Sequence, residues 1–269
     1  MSQESTALAR EAARLRARAA ARLSFALERS DLNCDLSFSA AVQRFSTRNE
    51  LFAYMHRYFY TLLPEPLRQH RAYFARNGRG FGEEAFHAMW YLLMREFKPV
   101  SLLEIGVFRG QVISLWALIA RLAGTPVSVR CISPFSEAGD RVSKYPRLNY
   151  FEDVMLNFQH FNLPRPDCFQ GFSTDPAART YLQQVPLDCI YVDGGHDDEV
   201  VICDYHNSVA ALQSGGLLVL DDSSLYTDFD PPIFSFAGHP GPSKVARQLA
   251  DRELEFMGGV GHQNVYRKR

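Results

Sequence analysis

From Val100 onward, short apolar runs alternate with stretches of helical period, and this alternation restricts the fold more than any other feature of the chain. "VSLLEIG" (100–106), "VSVRCIS" (127–133), "DCFQG" (167–171), "LDCIYVDGG" (187–195) and "GLLVLDD" (216–222) read as strands. Between them "QVISLWALIARLAG", "FEDVMLNFQHFNL", "PAARTYLQQV" and "DEVVICDYHNSVAALQ" read as helices, and "PSKVARQLADR" as one more after the fifth strand. Strands separated by helices join through right-handed crossovers, so the expected fold is α/β, a doubly wound and mostly parallel sheet covered on both faces. "LEFMGGVGHQNVYRKR" reads as a closing hairpin that adds an antiparallel edge.

Residues 1–98 read instead as a helical extension or cap, with 99–269 as the α/β domain. "STRNELFAYMHRYFYTLL" opens with a capping-box pattern, Thr47 to Glu50, and stops at Pro64 and Pro66. "GEEAFHAMWYLLMREF" is a second amphipathic stretch, ended by Pro99. The Ala/Arg-rich opening is similar in composition to a transit peptide, but Glu4, Glu11 and Glu28 favour a plain solvated helix. The 269 residues carry a formal net charge of -1, which argues against a dominant nucleic-acid surface. No apolar run reaches membrane-spanning length. Five scattered cysteines without a CxxC pair point to reduced thiols in a cytoplasm-like compartment rather than to disulfides or a zinc site.

In open α/β sheets, ligands bind beyond the carboxyl ends of the strands, where the strand order reverses. Glu104, Ser133, Asp193, Asp221 and Asp222 all fall at such ends, along one expected rim. The first of these ends, "LLEIGVFRGQ", contains Glu104-x-Gly106-x-x-x-Gly110. Its glycines allow close approach of a ligand, and the following helix offers free N–H groups to an anion. The spacing is not that of dinucleotide binders. It resembles the acidic-x-Gly-x-x-x-Gly turn of class I S-adenosylmethionine-dependent methyltransferases, which have a Rossmann-like fold. That resemblance implies donor contacts from Glu104, Gly106, Gly110 and Asp193. It also implies an acidic ribose ligand at the end of the second strand, where this chain has Ser133, a neutral and weaker partner. After the third strand, "CFQGFSTD" offers Phe172 to stack on the adenine and Ser173 to hydrogen-bond it; a turn with a helix-capping hydroxyl reads the same residues equally well.

The fourth and fifth strands end in "VDGGH" and "LDDSS", which bring Asp193, Asp221 and Asp222 into one cleft. Neighbouring carboxylates repel, and a divalent cation relieves the conflict; magnesium favours such oxygen ligands and keeps positions open for water or substrate. A helix cap that binds no metal is the alternative. Asp193-Gly194-x-His196, the helix carrying Asp204, "SGGLLVLDD" and "HPGPSKVARQL" resemble, over about residues 100–268, the macrocin O-methyltransferase family, metal-dependent enzymes that methylate sugar hydroxyls on natural products. The resemblance implies Asp193, Asp221 and Asp222 as magnesium ligands and His196 as the general base beside Asp193. Gly195 departs from members with an acidic residue there, which puts more weight on His196. The segment "SSLYTDFDPPIFSFAGHPGPS" exceeds the family's usual short loop and is expected to shape the acceptor pocket. Tyr226, Phe229 and Phe234 within it could wall that pocket or pack beneath the loop. His239 reads as a loop surface residue, and His160, His206 and His262 as helix or hairpin surface.

The expected function is therefore a magnesium- and S-adenosylmethionine-dependent O-methyltransferase acting on a small hydroxylated molecule, a sugar or glycoside. A metal-independent N- or O-methyltransferase of the same fold and a catalytically silent donor-binding scaffold are the competing readings. The glycine spacing and Ser133 disfavour a dehydrogenase. The aromatic-rich helical arm predicts self-association, a homodimer or larger; no nucleic-acid or membrane partner is expected.

Overall fold

The computed structural model describes residues 3–27, 33–138 and 148–269. Glu28 of the Ala/Arg-rich opening lies outside the described residues. The helical first part consists of α1 (Gln3–Leu27), α2 (Phe38–Arg44), α3 (Arg48–Thr61), α4 (Glu65–Ala75) and α5 (Glu84–Phe97). The capping box at Thr47 is formed: the Thr47 side chain accepts from the Glu50 N–H, and the Glu50 side chain accepts from the Thr47 N–H. Pro64 and Pro66 end α3 and open α4, because a proline is tolerated in a first turn, where its missing N–H is not needed. Pro99 stops α5, whose last cap, Lys98, adopts a left-handed conformation with φ 50°. No helix among the described residues is long and apolar enough to cross a membrane.

The second part alternates as its hydrophobic pattern requires. It comprises β1 (Ser101–Ile105), α6 (Gln111–Ala123), β2 (Ser128–Ser133), α7 (Tyr150–His160), β3 (Asp167–Gln170), α8 (Pro176–Leu182), β4 (Leu187–Val192), α9 (Asp198–Ala211) and β5 (Leu212–Leu220). α10 starts at Pro240, two residues earlier than expected, and runs on through a π-helical turn at Ala246–Ala250. The chain closes with β6 (Glu255–Val260) and β7 (Gln263–Arg267). The sheet order is β3-β2-β1-β4-β5-β7-β6. β1 to β5 are parallel, and β7 pairs antiparallel with β5. This is the doubly wound, Rossmann-like sheet with an antiparallel edge that the sequence led us to expect. The order reverses between β1 and β4, so the carboxyl ends of those strands border the crevice.

Each strand of the sheet's centre sends alternate side chains to opposite faces. On β4, Cys189 and Tyr191 join one core cluster while Ile190 and Val192 join the other; β5 divides Leu217 and Val219 from Leu218 and Leu220 in the same way. The first cluster runs without a break into the N-terminal helices. Trp90 of α5, Trp116 of α6 and Tyr191 meet edge to face, with Trp90 ring centroids 5.0 Å from Trp116 and 5.3 Å from Tyr191. The helical part thus covers one face of the sheet and shares its core.

Candidate active site

β1 leads directly into the glycine turn. Its last residues alternate, so Glu104 points to the same face as Leu102, toward the start of α6, where the Ile113 N–H meets it. The carboxyl is buried with Oε2 unpartnered, and burial pushes its pKa well above the carboxylate range. Gly106 has φ 94°, and a side chain there would collide with the carbonyl of Asp193 at the end of β4. Only glycine lets β1 and β4 close on each other at the reversal point. Gly110, φ 78°, caps α6. Arg109 is ion-paired with Asp153, and Asn157 donates to the Arg109 carbonyl at 2.8 Å, so α7 braces the turn. Above it, the loop before α5 closes through the Gly82 N–H, which donates to Gln111 Oε1 at 3.4 Å, and through the Phe81 ring stacked on Phe108.

The other residues expected to meet the donor fall out differently. Ser133 is buried; its hydroxyl donates to the Val107 carbonyl at 2.8 Å and accepts from the Phe135 N–H at 3.2 Å. It ties β2 to the glycine turn and presents no free hydroxyl to the cleft. Phe172 is 45% exposed beyond the end of β3, open to a flat ligand. Ser173 lies beside Asp204 of α9; burial raises the Asp204 pKa to about 7, a rise that the Ser173 hydroxyl tempers.

The carboxylates gather at the ends of β4 and β5. Asp193 and Asp221 face each other closely enough to share a hydrogen bond; burial raises both pKa values, and the charge of Asp221 raises that of Asp193 further while the charge of Asp222 raises that of Asp221. Asp222 breaks the alternation of β5 by adopting φ 51°, which turns its carboxylate into the cleft beside Asp221. That strained backbone is held on several sides: the Asp222 carbonyl accepts from the His239 N–H at 2.8 Å and from the Ser243 hydroxyl at 3.2 Å. Gly238 passes so close to the same carbonyl that any side chain there would clash.

Imidazoles surround this group. His196 Nε2 lies 3.0 Å from Asp222 Oδ2, and His239 Nε2 lies 3.7 Å from the same oxygen, the two rings stacked with centroids 4.0 Å apart. His262 Nε2 lies 3.4 Å from Asp221 Oδ1 and 3.7 Å from Asp222 Oδ1. Burial tends to raise the Asp222 pKa, but the His196 bond and the flanking imidazoles outweigh it and hold the carboxyl below its ordinary range. Among the described residues, His196, Asp222 and His239 form one group whose possible ligand atoms all lie within 4.8 Å of one another, and Asp221, Asp222 and His262 form another. Asp193 stands beside the second group through Asp221 rather than within it. A cleft lined by Asp193, Gly194, Gly195, His196, Asp221, Asp222 and Pro242 opens onto these atoms.

Two of the expected surface histidines therefore belong to the site. His239 is drawn in because the long loop folds back over Asp222, and His262 because the β6–β7 turn lands on the end of β5, where the Ser223 N–H donates to the His262 carbonyl at 2.8 Å. His160 and His206 are on the surface as expected. In the long loop, Phe229 and Phe234 pack beneath it against Phe52, with Phe234 also meeting Phe25 and His56, while Tyr226 is exposed.

Residues 103–223 match a protein family described as a methyltransferase domain. No curated protein is significantly similar to the chain. Among solved structures, the SAH-bound methyltransferase PaMTH1 of Podospora anserina has a TM-score of 0.54 at 13% identity, over 77% of this chain and 89% of that one. An O-methyltransferase of Bacillus cereus in complex with SAH gives 0.52 at 16% identity, over 82% and 100%. The O-methyltransferase TomG of Streptomyces achromogenes, in complex with SAM and involved in tomaymycin synthesis, gives 0.50 at 17% identity, over 79% and 95%. At these identities the likeness is one of fold. The fold is that of the class I methyltransferases. The matched segment runs from β1 through the carboxylates at the end of β5, so this part of the chain is similar to a methyltransferase domain.

Proposed function

We propose that this chain is a methyltransferase that uses S-adenosylmethionine to methylate a hydroxyl of a small polyhydroxylated molecule, a sugar or glycosylated natural product, with a divalent cation at Asp193, Asp221 and Asp222. The observation that carries the proposal is the adjacency of two features: the glycine turn at the end of β1, locked by Gly106 against Asp193, and the aspartates that follow directly from β4 and β5. The fold neighbours from B. cereus and S. achromogenes are O-methyltransferases, the second in natural-product synthesis, which supports both the hydroxyl acceptor and its class.

The residues fit a cation on their own chemistry. Asp221 Oδ1 is buried without a hydrogen-bond partner, and three carboxylates in one cleft call for positive charge. A bound divalent cation would lower the pKa of an acceptor hydroxyl and orient it. The protein's own part is to bind the donor along the turn after β1, with Phe172 beside the purine, and to hold the acceptor oxygen in line with the methyl group and sulfur. His196 receives the acceptor's proton, and the Asp222 carboxylate 3.0 Å away orients the ring and stabilises the imidazolium that forms. The new C–O bond forms as the C–S bond breaks, so the enzyme carries no covalent intermediate.

His196→Ala and Asp221→Asn should bind S-adenosylmethionine with near-native affinity by calorimetry while turnover falls at least a hundredfold. EDTA should abolish activity and magnesium restore it. Full activity in either variant would remove that residue from the mechanism. A metal-independent enzyme of the same fold is the second reading, favoured by the imidazoles that already lie against the carboxylates; activity indifferent to EDTA would select it.

A further inference from the structure

His262 is placed as a ligand rather than as a packing residue. It occupies the tight turn between β6 and β7, whose register pairs Val260 with Gln263. Gly261 before it has φ 56°, and a side chain there would press on the Phe86 ring, so the turn has little room to shift. The imidazole is held between Phe86 and Phe236, with ring centroids 4.6 and 4.5 Å away. It is only 6% exposed, and its Nε2 is aimed at both aspartates.

The spacing is informative. His262 Nε2 stands 3.4 Å from Asp221 Oδ1 and 3.7 Å from Asp222 Oδ1. A direct N–H···O bond is normally about 2.9 Å. Ligand atoms that share one ion at about 2.1 Å stand roughly 3.0–3.4 Å apart in octahedral or tetrahedral geometry. The observed separations are near that second pattern, and Asp221 Oδ1 has no hydrogen-bond partner of its own. His196 and His239 meet the opposite oxygen of Asp222, so an ion on the His262 side does not require His196 as a ligand.

We infer that His262 ligates the cation through Nε2, beside Asp221 and Asp222, and that this imidazole makes the centre bind borderline transition ions more tightly than magnesium. Magnesium favours all-oxygen sites, whereas imidazole ligands raise affinity along the series from manganese through cobalt to zinc. The inference rests on the cation-dependent reading above and adds to it a ligand and a metal preference.

The test is metal binding to the metal-free full chain at a fixed pH, by calorimetry with Mg²⁺ and with Co²⁺, together with the visible absorption of bound Co²⁺. Co²⁺ should bind at least tenfold more tightly than Mg²⁺. His262→Gln should lower Co²⁺ affinity about tenfold or more, change Mg²⁺ affinity less than threefold, and alter the Co²⁺ spectrum; His206→Ala, an exposed histidine on α9, should leave all of these unchanged. Because His262 is buried, the wild-type protein supplies a second measurement. With ¹⁵N-labelled histidine, Zn²⁺ should shift one buried ring nitrogen into the metal-bound range. Tight Mg²⁺ binding with no preference for Co²⁺, or a Zn²⁺ complex in which no buried histidine nitrogen shifts, would overturn the ligand role and leave the proposed transfer intact. Failure of every divalent ion to bind would instead overturn the cation-dependent reading itself.

Discussion

Single residues at the strand ends set what this site can hold. Gly106 is the most constrained: its φ of 94° and its contact with the Asp193 carbonyl leave no room for a methyl group. Gly106→Ala is expected to cost about 1–3 kcal/mol of stability and at least tenfold in donor affinity, measured by urea melts and calorimetry. Native donor affinity in a folded Gly106→Ala protein would show that the turn is not the donor site. Asp204 supplies a pH signature. Its folded pKa of about 7 lies above the ordinary value of 3.8. The folded protein therefore holds that proton more tightly than the unfolded chain does. The resulting stability is complete below about pH 4 and is lost as pH rises to about 7. Asp204→Asn should flatten this slope by an amount on the order of 4 kcal/mol. Denaturation at a series of pH values would reveal it, and an unchanged slope would refute the raised pKa.

At the scale of elements, local rules were reliable and long-range placement was not. The Thr47 capping box could be read from four residues and is formed, because cap and partner lie within one helical turn. Thr47→Ala should lower stability by about 1 kcal/mol, visible as a fall of roughly 2–4 °C in Tm; an unchanged Tm would mean that tertiary packing alone fixes the start of α3. The closing hairpin was equally legible from its apolar pattern. Its period says that β6 and β7 exist but not where their turn lands, and so His262 was read as a surface residue. The same limit applied to His239, which lies in a loop of no regular period yet reaches Asp222 through a hydrogen bond of its own backbone. Ser133 shows the same limit from the other side: its strand-end position was read correctly, but its hydrogen bond to the Val107 carbonyl could not be foreseen from the local pattern.

For the whole molecule, the helical first part and the sheet are joined by a single apolar cluster that runs from Phe38 to Val265. Trp90 stands at the junction, fully buried between α6 and β4. Trp90→Ala should cost about 3–5 kcal/mol. Urea unfolding followed by tryptophan fluorescence and by far-ultraviolet circular dichroism should give coincident single transitions. Separate transitions would mean that the helices fold apart from the sheet.

The chain by itself determined the order of strands and helices, the parallel sheet and the polar character of the strand ends. All of these follow from periods of 2.0 and 3.6 residues and from glycine and proline chemistry acting within a few residues. The identity of Asp193, Asp221 and Asp222 as neighbours also followed, because a doubly wound sheet must bring its carboxyl ends together. Only the tertiary structure decided that Asp222 turns inward through a left-handed backbone, and that imidazoles from a loop and from a distant hairpin converge on it. Those contacts join residues up to about forty positions apart, and their geometry depends on loop closure and register, which no local pattern encodes.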